Sequence, residues 1–265
     1  MGKPIIVSVI NNKGGVGKTS VTLNLGSVLS DNYKVLIIDN DRQANSTGVL
    51  LEGIFPEDKN LISLYQNKEF NIVKVFDNTP IKKELYLLPG SPGIEEIRSV
   101  IDGKIEREKI ISKKIQDIAK GYDFVLIDNP PALDVFSYNA LYASDFALIP
   151  FKPGALEFSG MQNLLTALAA MKERGHGIEL LGVLVNMYNS RTKAAIKYIE
   201  MLLKIIPEEK LFDTMISVSQ DFINAIMDSL PIDLYPDANK AVVNTYYQLA
   251  DEFVHKLTNF KKEEN

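Results

Sequence analysis

The sequence contains no cysteine and only two histidines, His176 and His255. Disulfides, thiolate zinc sites and cysteine-held iron–sulfur clusters are therefore excluded, and so is a histidine-rich metal centre. Long hydrophobic runs are missing as well. No uncharged stretch approaches the ~18–20 residues needed to cross a bilayer, and the first apolar run, Ile5 to Ile10, is far too short for a secretory leader. A cytoplasmic protein without a membrane partner is expected. Charge of one sign is scarce: 29 Lys and Arg against 34 Asp and Glu leave a net −5. Any contact with nucleic acid must then come from a local basic patch and not from the bulk field. What is there is ordinary for a globular chain of 265 residues, 46% hydrophobic and 24% charged. One domain over 1–265 is expected, with a frayed tail over 260–265.

Ile5–Ile10 is short and rich in β-branched residues, as a buried strand is. A glycine-rich turn and a helix-like segment, Thr19 to Ser30, follow it. Val35–Ile38, Phe124–Ile127, Phe146–Ile149 and Leu181–Val185 repeat the strand pattern, ending respectively on Asp39, Asp128, Pro150 and Asn186. Helical stretches are expected near 104–120, 135–144, 157–174 and 193–206, and helical excursions over the sheet edge within 55–78. Strands alternating with helices predict an α/β fold, a mostly parallel, doubly wound sheet with helices on both faces. Ligands sit at the carboxyl ends of such strands, where Asp39, Asp128 and Asn186 emerge.

Asn12 to Ser20, between the first strand and first helix, reads N-K-G-G-V-G-K-T-S. Here backbone N–H groups and a helix N-terminus face an anion. Gly14, Gly15 and Gly17 permit the close backbone approach, Lys18 reaches β- and γ-phosphates, and the Thr19 hydroxyl suits Mg²⁺. The strict G-x-x-x-x-G-K-[ST] pattern is not met, because Asn12 holds the first glycine position. Beside it stands a second lysine, Lys13, whose plain reading is a solvated loop lysine.

Lys13 through Thr19 match K-G-G-x-G-K-[ST], and here the sequence resembles the deviant Walker A family of P-loop ATPases: ParA and Soj partition proteins, MinD, and nitrogenase-iron-protein relatives. The resemblance implies ATP and Mg²⁺ as cofactors, a nucleotide cradle of Lys13, Gly14, Gly15, Val16, Gly17, Lys18, Thr19 and Ser20, and a homodimer in which Lys13 reaches the partner's phosphates. Asp39 to Thr47 resembles the family's D-x-D-P-Q-x-N-x-T, with Arg42 in place of proline. By that match Asp41 orients the attacking water and Asp39 supports the magnesium shell; read without it, both carboxylates cap the next segment. Tyr122 to Pro131 is similar to the Walker B strand, giving Asp128 to Mg²⁺ beside Thr19, with Asn129 replacing threonine. An asparagine at the position of Asn186 reads the adenine edge in relatives; a plain strand-end turn is the other reading.

Four classes share this loop. Nitrogenase-like reductases need cysteines that are absent. MinD-type regulators end in a basic amphipathic membrane helix, whereas Val242, Tyr246, Leu249, Phe253 and Leu257 read as a helix docked on its own core, interrupted on its polar side by Asp251 and Glu252. Dethiobiotin-synthetase-type ligases leave no match to their substrate residues. What remains resembles the short ParA and Soj type, with no operator-binding helix-turn-helix expected before the loop. That type implies slow, partner-stimulated ATP hydrolysis, non-specific DNA binding on the nucleoid and a ParB-type centromere-binding partner. The alternative is a MinD-like or other cargo-positioning scaffold that does not act on DNA. Relatives carry arginines where Ile216 to Phe222 has none and Asp221 adds a negative charge. A DNA stripe is therefore expected from Arg191, Lys193, Lys197 and Lys204, with Ile196, Ile199, Leu203 and Ile206 facing the core; a solvated lysine face is the plain reading.

Overall fold

The computed structural model describes residues 3–77, 79–189 and 192–263, without the side chains of Ala194 and 261–263. Seven strands form one sheet among them, in the order β3-β4-β2-β5-β1-β6-β7. These are β1 (Ile5–Val9), β2 (Val35–Asp39), β3 (Val73–Lys74), β4 (Leu85–Leu88), β5 (Phe124–Asp128), β6 (Phe146–Phe151) and β7 (Glu179–Val185). All neighbours run parallel except β3 and β4. The helices are α1 (Lys18–Leu29), α2 (Asn45–Leu50), α3 (Leu61–Tyr65), α4 (Arg98–Asp102), α5 (Ser112–Ala119), α6 (Val135–Ala143), α7 (Ala155–Glu173), α8 (Lys193–Leu202), α9 (Asp221–Met227) and α10 (Lys240–Glu263).

The buried strands are apolar on both faces, as a doubly covered parallel sheet requires. Alternate residues go to opposite sides. Val7, Val9, Ile37 and Leu126 pack with Leu25 of α1 and with Tyr246, Leu249 and Phe253 of α10. Ile6, Leu36, Ile38, Val125 and Ile127 pack with Leu64, Ile115 and Phe136 on the other face. A third cluster joins Ile149, Val183 and Val185 to Met161, Leu164 and Leu202.

Several expectations are revised. The stretch 104–120 is not one helix but α5, preceded by a 3-10 turn at Arg107–Lys109. Within 55–78 the excursion is α3 followed by the antiparallel edge strand β3. The last helix, α10, runs through Glu263, and Phe260 packs against Phe146 with ring centroids 5.1 Å apart. Residues 264–265 lie outside the described ones. No helix among the described residues is long and apolar enough to cross a membrane, and the apolar stripe of α10 is docked on the sheet.

Candidate functional site

The parallel register brings the carboxyl ends of β1, β2 and β5 together. Asp39 and Asp128 are direct partners across β2 and β5, and Val9 pairs with Asp128 from the other side. The turn after β1 must therefore pass over two carboxylates before entering α1. Gly15 and Gly17 take left-handed backbone angles there, φ +72° and +86°. At Gly17 a side chain is excluded twice, by that angle and because its Cβ would lie 2.2 Å from Asn186 Nδ2. The Asn186 amide donates to Val16 O at 2.8 Å, so the end of β7 holds the loop.

Lys18 begins α1 and is buried; its ammonium donates to Lys13 O at 3.1 Å. Burial lowers its pKa, opposed by Asp128 and Asp41. Asp41 is buried and accepts from Gln43 N at 3.0 Å, and burial raises its pKa. Burial also pushes Asp39 up to about 7, with the Asp128 charge adding to it. Asp128 rises to about 6, chiefly by burial, while the Ser46 and Thr19 hydroxyls pull the other way.

The two carboxylates differ in what they leave open. Asp39 Oδ2 accepts from both Thr47 N and Thr47 Oγ1 at 2.7 Å, so it fixes the start of α2. Asp128 Oδ2 accepts from Ser46 Oγ at 2.7 Å, but its Oδ1 is buried with no hydrogen-bond partner. An orphaned carboxylate oxygen beside the Thr19 hydroxyl suits a hydrated divalent cation, which takes one or two carboxylates and keeps waters. The residues present thus fit a magnesium ion, which Thr19 and Asp128 would hold, with Asp39 behind them.

A cleft of about 550 Å³ opens over this floor. Gly14, Gly15 and Gly17 to Ser20 line it on one side, Asp41, Gly48 and Phe55 on another, with Pro131, Met187 and Ile226 completing the lining. Of the expected site residues, Lys18, Thr19, Ser20 and Asp41 line the cleft; Asp39 and Asp128 are buried at the ends of β2 and β5, Asn186 is bonded to the loop at Val16 O, and Lys13 accepts from Lys18 through its carbonyl. The sequence does not single out Ser46, which orients Asp128, nor Phe55, Met187 and Ile226. The first is a serine among many, and the others are apolar residues whose meeting only the fold decides. Arg42, which stands in place of the family's proline, reaches Glu95 at 3.6 Å. Glu95 is in turn held by Arg98.

The expected DNA stripe is only partly assembled. Lys193 and Lys197 are exposed on α8. Lys204 is not on that helix, which ends at Leu202, and Arg191 lies outside the described residues. Ile206 is buried and Ile199 partly so, but Ile196 (51% exposed) and Leu203 (45%) do not face the core. Ala195 and Leu202 take the buried side instead, because the helix is rotated from the simple periodic reading. Asp221 opens α9, and its carboxylate accepts from Asn239 N at 3.0 Å.

The sequence matches the family described as an AAA domain over residues 4–180. It is 31% identical over 261 residues to the chromosome-partitioning ATPase Soj of Treponema pallidum, covering 96% of this chain and 98% of the relative. The septum site-determining protein MinD of Pyrococcus horikoshii, complexed with Mg-ADP, shares the fold at TM-score 0.76 and 25% identity, covering 97% of this chain and 98% of that one. An ATP complex of McdA from Cyanothece shares it at TM-score 0.82 and 20% identity, covering 95% of this chain and 97% of that one.

Proposed function

Since the chain belongs to the ParA/Soj family of P-loop ATPases, we propose that it binds ATP with Mg²⁺, dimerises in that state and hydrolyses ATP slowly until a partner stimulates it. The observation that supports this reading is that Lys18, Thr19 and Asp41 line one cleft, with the unpaired Asp128 oxygen buried at the end of β5 and Lys13 tied to Lys18 through its carbonyl.

The loop N–H groups and the α1 N-terminus bind the phosphates, and Lys18 exchanges its bond to Lys13 O for phosphate oxygens. Bound magnesium supplies positive charge to the phosphates. Asp41, its carboxylate made more basic by burial, accepts a hydrogen bond from the attacking water and orients it. Asn186 holds the loop while standing beside the base. Lys13 adds its charge across the dimer. Each site alone lacks that charge, which accounts for slow turnover. In the cell the reading is a cytoplasmic, nucleoid-associated protein that moves a plasmid or chromosome region with a ParB-type partner and binds DNA through Lys193 and Lys197.

A cargo-positioning scaffold off DNA is the second reading. It is favoured by the surface where the family resemblance implies arginines: Val218 is 67% exposed there and Asp221 is acidic. Sedimentation of the chain with ATP and with ADP, with and without duplex DNA, tests both. An ATP-dependent dimer retained on DNA at low salt supports the first reading. An ATP-dependent dimer that ignores DNA at every salt concentration supports the second. A monomer under saturating ATP refutes the dimeric ATPase cycle common to both.

A further inference from the structure

Gly160 is buried in the interior of α7, a 19-residue helix, at a position with no left-handed backbone angle. Helix formation does not call for glycine there; alanine is the better helix former. What calls for it is the phosphate loop. A Cβ at 160 would stand 2.5 Å from Asn12 Oδ1, 2.6 Å from Lys13 Cγ and 3.0 Å from Lys13 Cε. The aliphatic stem of Lys13 therefore lies on the bare backbone of α7 along most of its length.

The loop leaves that stem little other course. Lys13 N donates to Asn11 Oδ1 at 3.1 Å, and Asn11 is itself tied to Pro150 O at 2.8 Å. Lys13 O receives the Lys18 ammonium. With its backbone fixed on both sides and Asn12 Oδ1 buried without a partner against the same glycine, Lys13 is confined by α7 in the single chain. Among the described residues no carboxylate pairs with its ammonium. A long lysine normally loses its rotamer freedom when it meets its ligand; here the helix removes part of that freedom beforehand.

We infer that Gly160 is a positioning residue for Lys13: the gap it leaves in α7 aims the lysine out of the subunit before a second subunit arrives. This rests on the reading in which Lys13 serves phosphates across a dimer. A side chain at 160 displaces the stem and weakens ATP-dependent pairing, while the chain's own nucleotide cradle, Gly14 to Ser20, stays intact.

Gly160→Ala in the full chain tests this. ATP affinity at concentrations below pairing is expected to stay within about twofold of the parent, and Tm not to fall. ATP-dependent dimerisation, read by sedimentation, is expected to weaken at least about tenfold. In a Lys13→Ala background the same change is expected to add less than about twofold. Parent-like dimerisation of Gly160→Ala overturns the inference, as does an undiminished further loss in the Lys13→Ala background. A purely structural glycine predicts instead a change in Tm with no preference for the background. If Tm does fall, Asn12→Gly combined with Gly160→Ala removes the oxygen at 2.5 Å but keeps the Lys13 contact, and pairing is expected to remain weak; recovery overturns the inference. If the parent itself fails to pair with ATP, the dimeric reading falls. Placement of the stem is still decided by amine acetylation of Lys13 in the monomer: a faster rate in Gly160→Ala upholds it, an equal rate overturns it.

Discussion

The side-chain amide of Asn186 donates to the carbonyl of Val16 at 2.8 Å, tying the end of β7 to the phosphate loop. Both residues are buried, so removing the amide leaves a buried carbonyl unpaired at a cost of about 1–3 kcal/mol. Asn186→Ala is expected to weaken ATP and ADP binding alike by roughly tenfold, since the loop serves the phosphates of both. Titration calorimetry with each nucleotide checks it. Unchanged affinity for both nucleotides would overturn the loop-holding role.

Lys18→Ala removes the ammonium that donates to Lys13 O and that the proposed function assigns to the phosphates. Loss of ATP affinity by at least about a hundredfold is expected, in line with a charge-assisted contact to phosphate in a buried site. Fluorescent-nucleotide titration reads it, and parent-like affinity contradicts the cradle.

The Asp41 carboxylate accepts from Gln43 N and, among the described residues, makes no hydrogen bond to the phosphate loop. Asp41→Ala is therefore expected to bind ATP normally and to accumulate as a dimer, with phosphate release falling at least about a hundredfold. Size-exclusion chromatography after ATP incubation, together with a phosphate assay, decides it. A hydrolysing Asp41→Ala enzyme would remove the residue from water activation.

Asp39 and Asp128 lie at about 7 and about 6 in the folded chain, above the ordinary carboxylate value of 3.8. Raised acids make the folded state the tighter proton binder. Their stabilisation is complete below about pH 4 and is lost as pH climbs through 6 and 7. The nucleotide-free chain is expected to be less stable at pH 8 than at pH 5. Asp39→Asn is expected to flatten that slope and to gain on the order of 1–2 kcal/mol at pH 8. Urea denaturation at the two pH values measures this; a slope equal to the parent's in Asp39→Asn excludes the pair as its source.

Lys193 and Lys197 stand one helical turn apart on exposed α8. Reversing both to glutamate is expected to abolish DNA retention at low salt while leaving DNA-free ATP turnover within about twofold, because phosphate neutralisation governs such binding. Retention equal to the parent's moves the DNA surface elsewhere on the molecule.

The alternation of β-branched runs with amphipathic stretches is enough to place five of the six parallel strands. The loop from Lys13 to Ser20 is legible because glycine spacing and Gly-Lys-Thr express a local requirement, a backbone that wraps an anion at a strand-to-helix turn. Asp39 and Asp128 are legible because each ends an apolar run. The strand Leu85–Leu88 is not: leucine-rich and four residues long, it declares itself only by pairing with Val35–Ile38. The rotation of α8, which exposes Ile196 and buries Ala195, depends on where Leu202 finds room beside β7. Tertiary structure alone also decides which oxygen of Asp128 stays unpaired, that Ser46 occupies the other, and that a glycine of α7 lies under Lys13. Ser46 and Asp128 are 82 positions apart in the chain, and Lys13 and Gly160 are further apart still. No local propensity or spacing encodes the distance between side chains on separate elements.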